Sequence, residues 1–543
     1  MKSRQLMCLA TFTFAVMAIS LPLASQEFHA SHHHYQVHEM RTFGGPNSSF
    51  LLPSPAGRVV SNNGTAVGGA DTSTPDPLCV YFNFDCYVSN GFKWHDGAAK
   101  KLDALPGFNS SFAFSVNDEG LVAGESENGI DPLTGGPAFE AILWEEDGSL
   151  SDLGTFGGNE SSANAVNNQG QMAGEALNTI TDPYDGVFFM SGATQVHAFR
   201  WMKFQGLQDL GTLGGPDSAA FLINESGQIA GWSFTNTTVN STFGFPTVDP
   251  FFWEDGKMLD VGSFGGTWGE SFVLNNRGQV TGFSYLNGNK SCHPFLWDKT
   301  GGMKDLGTLG GDSGQAYFVN DVGEVVGAAD VPGGSGCDEI GVPEHAFLWK
   351  NGVMTDLGTP AGDPCSYAEG INSKNQIVGA GSECDNNLVA GHAFLSEDSE
   401  PAVDLDTLIP PNLDLKLIIG VYINDLGEIA ALGTLSNGDI RAFVLIPCDE
   451  NHPGIDGCDY GMVDANIAPS QSSNPVRDET QRSTSLPGTN RERIPSLRSS
   501  NSSHTFSIDN SEPDMRVTRQ GRGAPSCIRA GAACRPHESC SPG

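Results

Sequence analysis

Residues 305–358 read DLGTLGGDSGQAYFVNDVGEVVGAADVPGGSGCDEIGVPEHAFLWKNGVMTDLG, and this one stretch contains a complete structural unit. A first short apolar strand runs from Gln315 to Val319, and Asn320-Asp321-Val322-Gly323 turns the chain into a second strand from Glu324 to Gly327. A variable loop leads to a third, aromatic strand from His345 to Trp349. Lys350-Asn351-Gly352 then turns it into a fourth strand from Val353 to Leu357. Asn and Gly suit both turns because they tolerate the positive φ of tight hairpins. The stretch then begins again with a second Asp-Leu-Gly at Asp356.

Working outward, the same unit recurs along the chain. Asp-Leu-Gly-Thr-x-Gly-Gly stands at Asp152, Asp209 and Asp305, with weaker copies beginning at Met40, Leu102, Asp260, Asp356 and Asp404. The turn asparagines are Asn117, Asn167, Asn224, Asn275, Asn320, Asn372 and Asn424, with Ser61 in the first copy. Their spacing is 56, 50, 57, 51, 45, 52 and 52 residues. Four short strands per ~40–50 residues describe propeller blades, whereas β-helix rungs need only ~20–30 residues. The expected fold is an all-β propeller of eight four-stranded blades. The segment from Tyr35 to Thr42 reads as an outer strand without a partner, and that from Arg441 to Pro447 as a third strand without a fourth. Their pairing would complete the eighth blade and close the ring, removing an exposed sheet edge. Seven blades result if the degenerate eighth copy packs elsewhere.

His-Ala-Phe at His197, His345 and His392, together with Asp-Leu-Gly-Thr-Leu-Gly-Gly and Ile-Asn-x-x-Gly-Gln-Ile-x-Gly, resembles the HAF-repeat family of bacterial extracellular proteins. The resemblance covers about residues 35–447 and departs from the pattern in the first, second and eighth copies. It implies an exported repeat protein and supplies no catalytic residue.

The flanks differ in kind. Residues 1–25 read as a signal peptide: Lys2 and Arg4, an apolar run from Leu6 to Ala24, then small residues. Residues 26–34 form a His-rich segment expected to be flexible, with a loose transition-metal site at His32-His33-His34 as its functional reading. Residues 35–447 are the propeller, 448–458 a disulfide-fastened closure, and 459–543 a disordered tail rich in Ser, Arg, Asn and Pro. The expected location is outside the cell, with no membrane attachment once the signal is removed. The 543 residues carry 28 basic against 64 acidic side chains, a formal charge of -36. That balance argues against nucleic-acid binding, which draws its affinity from Lys and Arg on phosphates.

Chain topology gathers the variable loops on one face, where binding surfaces of repeat proteins collect. Cys79 and Cys86 share one such loop, Cys292 and Cys337 lie in adjacent copies, and Cys365 and Cys384 flank one copy's inner strands. These, and Cys448 with Cys458, are the expected disulfides. The same face carries Asp182, Asp185, Asp312, Asp330, Asp338, Glu339, Asp363 and Asp385. They read as a solvated acidic surface or a calcium site, although no loop of EF-hand spacing supports the latter. The repeated histidines read as blade packing, and no nucleophile, zinc or phosphate-binding motif is present. No cofactor is expected. The expected function is a non-catalytic scaffold that binds a protein, glycan or small ligand. A propeller hydrolase or lyase acting on polysaccharide, and a structural protein of the cell exterior, are the alternatives.

Overall fold

The computed structural model describes residues 31–50, 58–76, 86–131, 135–184, 194–337, 342–384, 391–398, 400–455, 458 and 462–464. Among them are six four-stranded antiparallel sheets and one eight-stranded sheet. The latter consists of two four-stranded sets joined by a single parallel bridge between Val248 and Trp268. The sixth copy shows the pattern with Gly314–Val319, Val325–Asp330, Glu344–Lys350 and Val353–Asp356 as its strands in order. Consecutive four-stranded meanders of this kind, packed face to face, make a β-propeller.

Local sequence explains both glycine positions of each copy. In the fourth copy, Gly227 closes the first turn at φ 76°, a conformation that costs a side-chain-bearing residue energy. The second glycine answers a different need. The innermost strand Ser218–Ile223 carries a register shift between Ala220 and Leu222, which throws Phe221 out of the ladder. Opposite this bulge, a Cβ on Gly231 would run into the carbonyl oxygen of Ala219.

The core lies between successive sheets. Ala230 and Phe252 of the fourth copy pack with Val261, and with Leu274, Val280, Phe295 and Trp297 of the fifth. The Phe252 and Trp297 rings are 5.1 Å apart. The Phe and Trp of each third strand thus fill inter-sheet space, each contributing roughly 2–3 kcal/mol by burial.

Strand Tyr35–Met40 pairs antiparallel with Ile440–Pro447, in register from Tyr35 opposite Pro447 to Met40 opposite Ala442. Ser48 then ties this sheet to the first copy: its Oγ accepts from Ala442 N at 3.1 Å and donates to Met40 O at 2.5 Å. Ser111 makes the equivalent bonds between the first and second copies, with Gly91 N at 3.1 Å and Leu102 O at 2.9 Å.

The flanks hold one surprise. Ser31–His33, expected to be flexible, is a strand paired with Met462–Asp464, from the segment expected to be a disordered tail. The backbone ladder is reinforced by His32, which is buried with its Nδ1 2.5 Å from Glu397 Oε2. The expected signal peptide and the rest of the expected tail lie outside the described residues. No helix among the described residues is long and apolar enough to cross a membrane.

Candidate functional site

The turn asparagines build a belt around the ring's inner end. In each, Oδ1 accepts backbone N–H groups of its own turn, as Asn224 does from Ser226 and Gln228 at 3.0 Å each. The amide reaches onward to the next copy. Asn117 donates to Asn167 O, Asn167 to Asn224 O, Asn224 to Asn275 O and Asn275 to Asn320 O. Asn320 continues to Asn372 O, Asn372 to Asn424 O, and Asn424 to Ser61 O, all seven bonds at 2.8–3.0 Å. Ser61 has no such amide, and there Asn63 bonds Asp118 O instead.

Six of the eight residues that follow the belt positions, Asn62, Glu225, Asn276, Asp321, Ser373 and Asp425, line a cavity of about 170 Å³. Acids at Asp118, Glu225, Asp321 and Asp425 are separated by Asn168, Asn276, Ser373 and Asn62. Arg58 enters this ring, 3.0 Å from Asp118 Oδ1 and 3.4 Å from Glu225 Oε1. Burial opposes the Arg58 charge, yet Tyr422, Asp118 and Glu225 together hold it in the charged form. Burial likewise pushes Asp118 up, but Arg58 and hydrogen bonds from Asn168 and Asn62 bring its carboxyl below the usual range. These acids and Arg58 were missed in the sequence. The acids stand at a fixed place beside the repeated Asn, a signal that could have found them; Arg58 has no repeat to mark it.

On the opposite, loop-rich face the repeated histidines do something other than pack between sheets. His197 Nδ1 lies 2.9 Å from Asp209 Oδ2, His293 Nδ1 2.9 Å from Asp305 Oδ2, and His345 Nδ1 3.0 Å from Asp356 Oδ2. The His-Ala-Phe and Asp-Leu-Gly motifs are therefore two halves of one bridge across the outer hairpin. The Asp also caps the turn behind it, as Asp209 Oδ1 accepts from Gly211 N at 2.7 Å. In the seventh copy His392 pairs instead with Asp363 at 3.0 Å, and Asp404 caps a 3-10 turn by accepting from Asp406 N.

The candidate loop acids do not converge. Asp182 accepts from Tyr184 N, Asp312 from Gly336 N, and buried Asp330 from Ser313 N. Each shapes its own loop, and Asp363 serves His392. Asp185, Asp338, Glu339 and Asp385 lie outside the described residues. Among the described residues no group of three or more His, Cys, Asp or Glu could hold a metal ion. Disulfides join Cys292 to Cys337, Cys365 to Cys384 and Cys448 to Cys458. Cys86 is disulfide-bonded, and Cys79 lies outside the described residues.

Two second-strand carboxyls are buried, Glu125 in the second copy and Glu175 in the third. Burial pushes Glu125 and Glu175 each up to about 8, against hydrogen bonds from Ser162 and Asn164 respectively. Asn164 Nδ2 is 2.6 Å from Glu175 Oε2.

No family model matches the chain, and no curated protein matches it. Solved structures do. The β-propeller domain of the Trilobed protease from Pyrococcus furiosus is similar at 9% identity and TM-score 0.38, covering 67% of this chain and 97% of its own. A puromycin hydrolase is similar at 11% identity and TM-score 0.37, covering 72% and 58%. Dipeptidyl peptidase 4 of Porphyromonas gingivalis is similar at 9% identity and TM-score 0.32, covering 64% and 54%. These likenesses concern the fold alone.

Proposed function

We propose that this chain is an exported member of the HAF-repeat family: an eight-bladed ring, closed by its terminal strands, that binds a ligand on its loop-rich face without chemistry. The observation that carries this reading is the Cys292–Cys337 bond, which staples a strand of the fifth copy to a long loop of the sixth. A binding loop held in place beforehand gives up less entropy when its ligand arrives. The aromatic cluster of Phe243, Phe245, Trp268 and Tyr285 supports the 235–247 loop in the same way, with Phe243 5.0 Å from Trp268. Exposed Ile130, Ile180 and Val239, from three consecutive copies, offer apolar contact on that face. The repeated histidines and aspartates are meanwhile engaged with one another. The test is capture of protein or glycan by the full chain, compared with a Cys292→Ser/Cys337→Ser double variant. Weakened capture with unchanged far-UV circular dichroism supports the reading, and unchanged capture counts against it.

One observation favours the enzymatic alternative. Burial pushes the Glu125 and Glu175 carboxyls up to about 8, the direction that suits a general acid acting on polysaccharide. Release of sugar products by the full chain, abolished by Glu125→Gln or Glu175→Gln, would decide for it.

A further inference from the structure

The His–Asp bridge follows a positional rule. Its fourth-strand acid sits opposite the core Phe, and its third-strand partner stands two residues before that Phe. Phe199 faces Asp209, Phe295 faces Asp305 and Phe347 faces Asp356, with His197, His293 and His345 as partners. The last copy keeps the rule with other residues: Phe443 faces Glu39, and Arg441 Nε lies 3.2 Å from Glu39 Oε1. In each case a basic group meets an acid.

The second and fourth copies break the charge rule while keeping the geometry. Phe251 faces Asp260, and the residue two before it is Asp249. Ile142 faces Asp152, and the residue two before it is Glu140. Asp249 is only 8% exposed, and its Oδ1 is buried without a hydrogen-bond partner. From the second strand it meets neutral Ser233. From the next sheet, Trp268 stands at the bridge, its indole already bonded to Glu270 at 2.7 Å. The charge acting on Asp249 is that of Asp260. Glu140 meets Asn128 at 3.1 Å from the second strand and is hydrogen-bonded to Asp152 from the fourth. From the next copy, Ser161 Oγ takes up the adjacent Ala141 N. Among the described residues no basic side chain acts on Glu140 or Asp249.

We propose that Asp249 with Asp260, and Glu140 with Asp152, are acid pairs whose third-strand member carries a proton, that they fill the slot of the His–Asp bridge, and that they act as pH-operated clasps on the loop-rich face. One bound proton stands where the other copies place a cationic side chain. When it leaves, two like charges oppose each other across the hairpin. Asp249 lies just beyond the 235–247 loop, so loss of the proton loosens the foot of that loop. Below neutral pH the clasp is shut.

The test is the equilibrium folding constant of the full chain from pH 4 to 8, for wild type, Asp249→Asn and Glu140→Gln. An amide mimics the protonated acid and does not titrate. Burial and the neighbouring Asp260 push the folded Asp249 carboxyl up to about 7 from its ordinary value of 3.8. The ratio of the Asp249→Asn to the wild-type folding constant is therefore expected to rise with pH, by up to about tenfold per unit between pH 4 and 7. Glu140→Gln is expected to give a rise of the same sign, and keeps the test open should Asp249→Asn not fold. A ratio independent of pH in both variants overturns the proposal. So does calcium chloride that stabilises wild type at pH 8 but not Asp249→Asn, since the slot would then hold a metal ion and not a proton.

Discussion

Asn424, in the last copy, donates its side-chain amide to the carbonyl of Ser61, in the first, at 2.9 Å across 363 residues of sequence. It is the same bond that joins every pair of consecutive copies from Asn117 onward. Tyr35–Met40 and Ser48 make the corresponding junction in the sheets. The first and last copies therefore meet through the same kinds of bond that join other consecutive copies.

If that junction is equivalent to an internal one, Ser48→Ala will destabilise the chain as much as Ser111→Ala does. Each change strands a buried backbone N–H, which costs about 1–3 kcal/mol. Guanidinium denaturation monitored by Trp fluorescence checks this, and a neutral Ser48→Ala beside a costly Ser111→Ala speaks against equivalence.

The belt itself makes a sharper demand. Asn224→Ala removes acceptors for Ser226 and Gln228 and the donor for Asn275 O at a position only 4% exposed. A loss of about 3 kcal/mol or more is expected, since several buried polar groups lose their partners at once. Ser373→Ala, one step outside the belt, should cost under about 0.5 kcal/mol.

The first fold elements were legible because each is a local necessity. A tight turn needs Asn-x-x-Gly, and the bulge opposite Gly231 needs a residue without a Cβ. Fill between sheets comes from Phe and Trp at period two. The His–Asp bridge is not legible in the sequence, although each half belongs to a repeated motif, because its members are 11 or 12 residues apart and meet on a diagonal across two strands. The strand Ser31–His33 was hidden for a different reason. Its partner Met462–Asp464 is remote and carries no repeat pattern, so its composition alone suggested disorder.

The buried carboxyls set the response to pH. Burial pushes Glu125 and Glu175 up to about 8 in the folded chain, and Glu160 to about 7, from the ordinary carboxyl value of 4.5. Between those limits the folded chain binds more protons than the unfolded one, so stability falls as pH rises from about 5 to 8. Below 4.5 the penalty vanishes. Each group contributes a slope of at most about 1.4 kcal/mol per pH unit. Melting temperatures at pH 5, 6, 7 and 8 check the sign, and Glu125→Gln should flatten the curve.

Reduction offers an independent check on the loops. The Cys292–Cys337 bond closes 45 residues of sequence, and replacing both cysteines by Ser should cost about 2–4 kcal/mol. Hydrogen exchange should accelerate in the 331–337 loop and leave the Asn275 turn unchanged.

The most direct measurement is a glycan array probed with the full chain, its Ile180→Glu variant on the loop-rich face and its Phe204→Ser variant on the opposite face, with bound sugars then analysed for cleavage. Ile180 is 56% and Phe204 96% exposed, so neither change disturbs the core. The account predicts a glycan held intact by wild type and Phe204→Ser and lost by Ile180→Glu. Cleavage of the bound glycan, or undiminished binding by Ile180→Glu, would contradict it.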